Sequence, residues 1–308
     1  MSGRQFDRGI RRRYRKRFGE GLDVPAGPDR LTQARRDEIA ELAEAVAGEH
    51  CPTGPVEPGQ IARTRRITIS FGPYGDAFDG MLEHRWGRFH IFCNLGRVGR
   101  PQAPRARFTL AHELGHYYID EHRCALASGR CPAHRSVCDY ESANLAEQEA
   151  DHFAANLLMP RPRFLVAARA ATPGLAGIVS LAETFAASLT STAIRYAACD
   201  AAACAVVKWT SGCYAWKWLS SATFQARFRR TVEAPQQLAA GSPTARAVAG
   251  ERPEGDFFEA GTTASAWFPG VKSGEYRDVI LIEQAVPLGR YGVLTFLRPE
   301  SGRYRFDG

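Results

Sequence analysis

The sequence predicts an α+β protein: helices around a small sheet, a helical connector, then a β-rich C-terminal part. Three observations carry this expectation. Two runs of β-branched and aromatic residues, 66–71 and 88–93, come before two strongly helical segments. Another helical stretch covers 175–196, and the last third returns to strand-like text punctuated by glycine and proline. At 308 residues, with 44% hydrophobic and 24% charged side chains, the chain is long enough for two cores, and its composition is neither disordered nor fibrous.

Taken in order, residues 1–25 form a basic arm, and Pro25 to Pro28 reads as a linker. Over 31–47 the apolar residues Ile39, Leu42, Ala43 and Val46 recur at helical spacing. Proline and glycine crowd 52–59, and the two predicted strands follow. Residues 106–122 and 142–158 read as helices, the second stopped by Pro160 and Pro162. Leu175 to Tyr196 is helical with a break at Ala186-Ala187-Ser188. Cys204 to Trp218 reads as a hairpin about Ser211-Gly212, and 279–283 and 291–297 as strands joined by a Pro287/Gly289 turn. The expected division is an arm over 1–25, a first domain over 26–170, a connector over 171–198, and a β-rich sensor or interaction domain over 199–308.

The formal charge of +7 sits in the arm, where residues 1–17 carry eight basic side chains against Asp7 alone. Such a run can grip phosphates by releasing counterions, and it is equally a solvated tail; nothing beside it has base-reading chemistry. No apolar run approaches the roughly 20 residues that span a bilayer, so no membrane partner is expected. The eight cysteines are scattered rather than clustered into a disulfide framework, which fits a reducing cytoplasm.

The chemistry is concentrated in His112-Glu113-Leu114-Gly115-His116. Histidines four apart on a helix project from one face, so two ring nitrogens can reach one metal ion. Glu113 sits about 100° further round, badly placed as a ligand and well placed to move a proton beside the ion. A third ligand must come from elsewhere, and the second helix offers Glu147-Gln148-Glu149-Ala150-Asp151. Glu147 and Asp151 share a face at i, i+4. Glu147 is assigned as the ligand and Asp151 as the acceptor of a ligand histidine's N–H, with Glu149 pointing elsewhere as the substitute ligand.

The run Arg107-Phe108-Thr109-Leu110-Ala111-His112-Glu113-Leu114-Gly115-His116, then Glu147-x-x-Ala150-Asp151-x-Phe153-Ala154-Ala155-x-Leu157-Leu158-Met159-Pro160, resembles the ImmA/IrrE family of bacterial metallopeptidases. The resemblance covers roughly residues 30–165. It implies a gluzincin-like fold with one catalytic Zn2+, or Mn2+ or Fe2+ in its place, and Glu113 as catalytic residue. It also implies a strand beside the active-site helix that pairs with the substrate backbone, for which Arg88 to Asn94 is the candidate. Family members cut helix-turn-helix repressors and so derepress stress-response or mobile-element genes. Some carry a helix-turn-helix-like segment after the peptidase, as Leu181-Ala182-x-x-Phe185-x-x-Ser188 suggests, and a GAF-like sensor in the position of the β-rich domain. His134, Tyr140 and Tyr117 are the candidates for an oxyanion donor.

Two further features call for a reading. Cys124, Cys131, His134 and Cys138 follow C-x6-C-x2-H-x3-C, a spacing that offers a second, structural metal site or a set of reduced cysteines. Trp209, Trp216, Trp218 and Trp267 either line a ligand pocket or fill a core. The rival to the peptidase is a DNA-binding regulator that uses the arm and the helical pair, with a structural or vestigial metal site. It is disfavoured because Glu113, which metal binding does not need, is present.

Overall fold

The computed structural model of the protein describes residues 31–130, 133–136, 144–210, 213–219, 224, 238–268 and 279–300, with the side chains of His134, Arg135 and 213–219 excepted. Helix α1 (Gln33–His50) begins where the Thr32 hydroxyl accepts the Arg35 N–H, and it buries Ile39, Ala43, Val46 and Ala47 as one stripe. Helix α2 (Pro58–Thr64) opens on proline, which has no N–H to leave unsatisfied. It closes through Arg66 at φ 57, with Arg66 N–H on Arg63 C=O and Ile67 N–H on Ala62 C=O.

Strands β1 (Thr68–Gly72), β2 (Gly80–Arg85) and β3 (Arg88–Asn94) come next, then helices α3 (Leu95–Val98), α4 (Pro104–Tyr118) and α5 (Asp120–Ala127), and strand β4 (Ala133–Ser136). The strands form one sheet in the order β1-β3-β2-β4, with β1 parallel and β2 antiparallel to β3. This overturns one expectation. Strand β3 is paired on both sides, so it has no edge to offer a substrate; the sheet edges are β1 and β4. The sequence could not show this, because β2 and β4 lack the β-branched and aromatic residues that mark β1 and β3.

The single helix expected over 106–122 is two. Ile119 leaves the helical region at ψ 113, ending α4, and α5 starts afresh at Asp120. Helix α6 (Leu145–Leu158) packs along α4. A Cβ on Gly115 would lie 3.1 Å from the Ala150 Cα and 3.2 Å from its carbonyl oxygen, so the two backbones meet at this pair. Pro162 then starts helix α7 (Arg161–Ala170) as well as following the end of α6.

Helices α8 (Leu175–Thr184) and α9 (Leu189–Ala198) are bent by 107° about residues 185–188, an angle within the helix-turn-helix range. Thr192, Ala193, Arg195, Tyr196 and Ala197 of α9 are buried, so the face a reading helix would present is already packed. Arg107 ties this turn to the first part of the chain by donating to Ala186 C=O, to Val56 C=O and to the Glu57 carboxylate. No described helix is long and apolar enough to cross a membrane.

The C-terminal part is β5 (Ala205–Thr210), β6 (Cys213–Leu219), α10 (Pro243–Val248), β7 (Phe258–Thr263), α11 (Ala264–Trp267), β8 (Ile280–Pro287) and β9 (Val293–Pro299). Its strands make an antiparallel sheet in the order β6-β5-β9-β8-β7. Alternation divides the sheet faces: Val206, Leu294 and Phe296 join the core of the helical part, while Ala205, Val207, Trp209 and Leu297 build a second core. Trp209 and Trp267 are buried there, their indole N–H groups donating to Thr295 and Glu283. They are core residues; the side chains of Trp216 and Trp218 lie outside the described residues.

The Gly115–Ala150 contact generates a prediction. Leucine at 115 should force α4 and α6 apart and lower the unfolding free energy in urea by about 1–3 kcal/mol. Unchanged stability would show that the helices do not meet there.

Candidate metal centre

Helix α4 presents His112 and His116 one turn apart, and α6 brings Glu147 and Asp151 opposite them across the Gly115–Ala150 contact. His112, His116 and Glu147 are all buried, and one ligand atom from each lies within 4.8 Å of the others. His112 Nε2 is 3.4 Å from Glu147 Oε2, His116 Nε2 is 3.3 Å from Glu147 Oε1, and the two Nε2 atoms are 3.1 Å apart. Two imidazoles and a carboxylate are a donor set suited to a divalent first-row metal ion.

Both histidines are gripped from behind. Asp151 Oδ1 accepts from His112 Nδ1 at 2.8 Å, as the i, i+4 spacing with Glu147 anticipates. Behind His116 stands a relay that the sequence reading did not find. His122 Nε2 lies 2.8 Å from Glu149 Oε2 and donates to it, which leaves the His122 Nδ1 lone pair to accept the His116 Nδ1–H at 3.1 Å. Arg35, from α1, donates to both Glu149 oxygens. Each relay leaves Nε2 of its ligand histidine as the metal-facing atom.

Burial alone would depress the His112 pKa, but the Asp151 and Glu147 carboxylates, with Glu113, outweigh it and push the imidazole up to about 10. Glu113 is fully buried on α4, beside β2. A Cβ at Gly80 would come 2.5 Å from Glu113 Oε1 and from Thr109 Cγ2, so glycine is what allows β2 to run against this carboxylate. The preceding residue, Asp79, is buried and held by Arg97 and Arg105 at 2.6 and 2.8 Å; although burial works against ionisation, the two guanidiniums keep its pKa below the usual value.

Residues 100–196 match the family described as Peptidase_M78, IrrE N-terminal-like domain. This part of the chain belongs to the ImmA/IrrE family. The match takes in both motif helices and ends within α9. A solved structure described as a Mycobacterium tuberculosis transcriptional regulator superposes with a TM-score of 0.54 at 13% identity, over 86% of this chain and 81% of that one. That likeness is one of fold. The search of curated proteins finds no match.

Of the other residues singled out in the ImmA/IrrE-like segment, Tyr117 packs edge-on against Phe89 with ring centroids 5.1 Å apart. Cys124 is exposed on α5. Cys131, Cys138, Tyr140 and the side chain of His134 lie outside the described residues, as does the basic arm. His122 and Arg35 were missed because nothing in the sequence reports that α4 breaks at Ile119 and turns α5 back over His116.

Two predictions follow from this geometry. His122→Leu should leave the metal-free fold intact and weaken metal binding roughly 10- to 100-fold in chelator competition, the usual cost of losing an outer partner of a ligand histidine. Unaltered affinity would remove the relay from the site. Because His112 keeps its proton below about pH 10, a metal ion must displace that proton. Apparent affinity should therefore rise with pH, by about tenfold per unit through neutrality; a flat profile in a metal titration would contradict the raised pKa.

Proposed function

We propose that this chain is a zinc-dependent endopeptidase that cleaves a helix-turn-helix transcriptional repressor. The observation that carries the reading is the burial together of His112, His116 and Glu147, with Glu113 alongside them on α4. The donor set, the converging Nε2 atoms and the two relays fit a zinc ion held by these three side chains. When bound, zinc supplies Lewis acidity to the attacking water and to the peptide carbonyl.

The other roles belong to the chain. Asp151 and the His122–Glu149–Arg35 relay hold the two imidazoles in their ligating tautomer. Glu113 takes a proton from the attacking water and delivers it to the leaving amine, a dual role that suits a carboxylate enclosed next to the ligands. Gly80, having no side chain, lets β2 close against that carboxylate. The repressor as substrate rests on the family alone.

The test is co-expression with helix-turn-helix repressors from the same genome. The wild-type protein should produce a new repressor fragment, and Glu113→Gln should bind metal equally well and produce none, because only the proton shuttle is removed. Cleavage by Glu113→Gln at the wild-type rate would sink the assignment. Salt-dependent DNA binding by both proteins without any fragment would favour the DNA-binding regulator.

A further inference from the structure

A deep concavity on the described surface lies away from the metal centre. It is a groove of about 1140 Å³ on the other flank of α4, between the C-terminal end of α2, the β1 edge of the sheet and the start of β3. Its floor is apolar and includes Ile69, Phe71 and Phe89; Phe71 is 40% exposed, one of the few large hydrophobic side chains left so. Ile69 and Phe71 alternate along β1. The outer side of β1 has no strand partner among the described residues.

The groove is also strongly basic. Five arginines line it against the single acidic residue Glu57. Two of the five are already matched, Arg107 by Glu57 at 2.7 Å and Arg65 by Glu49 at 3.0 Å. Arg63 donates to the Gly59 carbonyl of its own helix, and Arg63, Arg66 and Arg88 have no acidic partner among the described residues. Three cations therefore overhang an apolar trough that runs along an open strand edge.

We infer that this groove docks an extended, acidic segment of a polypeptide, which adds to the edge of β1 and sets its carboxylates against Arg63, Arg66 and Arg88. Each part of the arrangement supplies one component of such recognition. The strand edge offers backbone hydrogen bonds to an extended chain, alternate side chains of that chain enter the trough over Ile69 and Phe71, and the arginines select for negative charge. A nucleic acid would use the arginines but neither the strand edge nor the alternating floor, so the polypeptide is favoured.

That the docked segment belongs to the cleaved protein rests on the endopeptidase reading. Groove and metal centre lie on opposite flanks of α4, and a helix is about 10 Å across. An extended chain covers that width in about three or four residues. The docked segment would thus hold a substrate close to Glu113 without occupying the centre.

Binding can be read without turnover. A fluorescein-labelled peptide of alternating glutamate and valine serves as the probe in fluorescence anisotropy, with the lysine-valine peptide, an alternately N-methylated glutamate-valine peptide and a single-stranded oligonucleotide for comparison. The expected result is saturable binding of the acidic peptide that weakens roughly tenfold or more in Arg66→Glu/Arg88→Glu. Weakening on N-methylation and no binding of the lysine peptide complete the expected pattern. Glu113→Gln should bind the peptide as the wild type does, because the groove does not use Glu113; docking by the wild type without any metal-dependent cleavage would retain the groove and discard the peptidase. Undiminished binding by the arginine variant would assign the probe to the basic N-terminal arm, and tighter oligonucleotide binding lost in that variant would assign the groove to nucleic acid; either outcome overturns the inference.

Discussion

Everything at the centre depends on how closely α4 and α6 approach. A single carbon added at Gly115 would stand 3.1 Å from the backbone of Ala150. That contact sets Glu147 and Asp151 at the correct height against His112 and His116, and it explains why both helices carry small residues between their polar ones. A larger side chain at either position would separate ligands supplied by two different helices, His116 and Glu147 being 31 residues apart in sequence. The polar cluster would then face a gap instead of a shared centre. Packing therefore precedes chemistry here.

The electrostatics point the same way. Glu113, Glu147, Glu149 and Asp151 bring four carboxylates around three imidazoles, and Arg35 is tied to Glu149 at one margin. Burying that much negative charge is costly unless cations answer it. In the metal-free protein part of the answer is a proton on His112, whose pKa is pushed up to about 10. A divalent ion between the two Nε2 atoms and Glu147 answers it more completely, which is why proton and metal compete for the same place.

Much of this was legible in the residues. The His112–His116 spacing and the Glu147–Asp151 spacing each place two side chains on one helix face, and the structure brings the two faces together. The limits of legibility were geometric. His122 and Arg35 reach the site only because Ile119 ends one helix and starts another, and a break made by a β-branched residue without glycine or proline leaves no clear mark. Gly80 matters for what it lacks, and its strand was not recognised from its sequence. Arg88 to Asn94 was read correctly as a strand, yet its place in the interior of the sheet depends on β2, so its role as a substrate-pairing edge did not survive. Pro160 and Pro162 were read as an end when Pro162 also begins a helix. In the C-terminal part, alternation along β5 and β9 revealed strands but not that one face serves the helical core and the other a core of its own.

The central claim is that α4 and α6 together hold one metal ion through two imidazoles and a carboxylate. X-ray absorption at the zinc edge tests it most directly. The account predicts nitrogen and oxygen scatterers at about 2.0–2.1 Å, with an imidazole signature that changes in Glu147→Ala. Sulfur scattering at about 2.3 Å that persists unchanged in that variant would place the metal on cysteines instead and contradict the account.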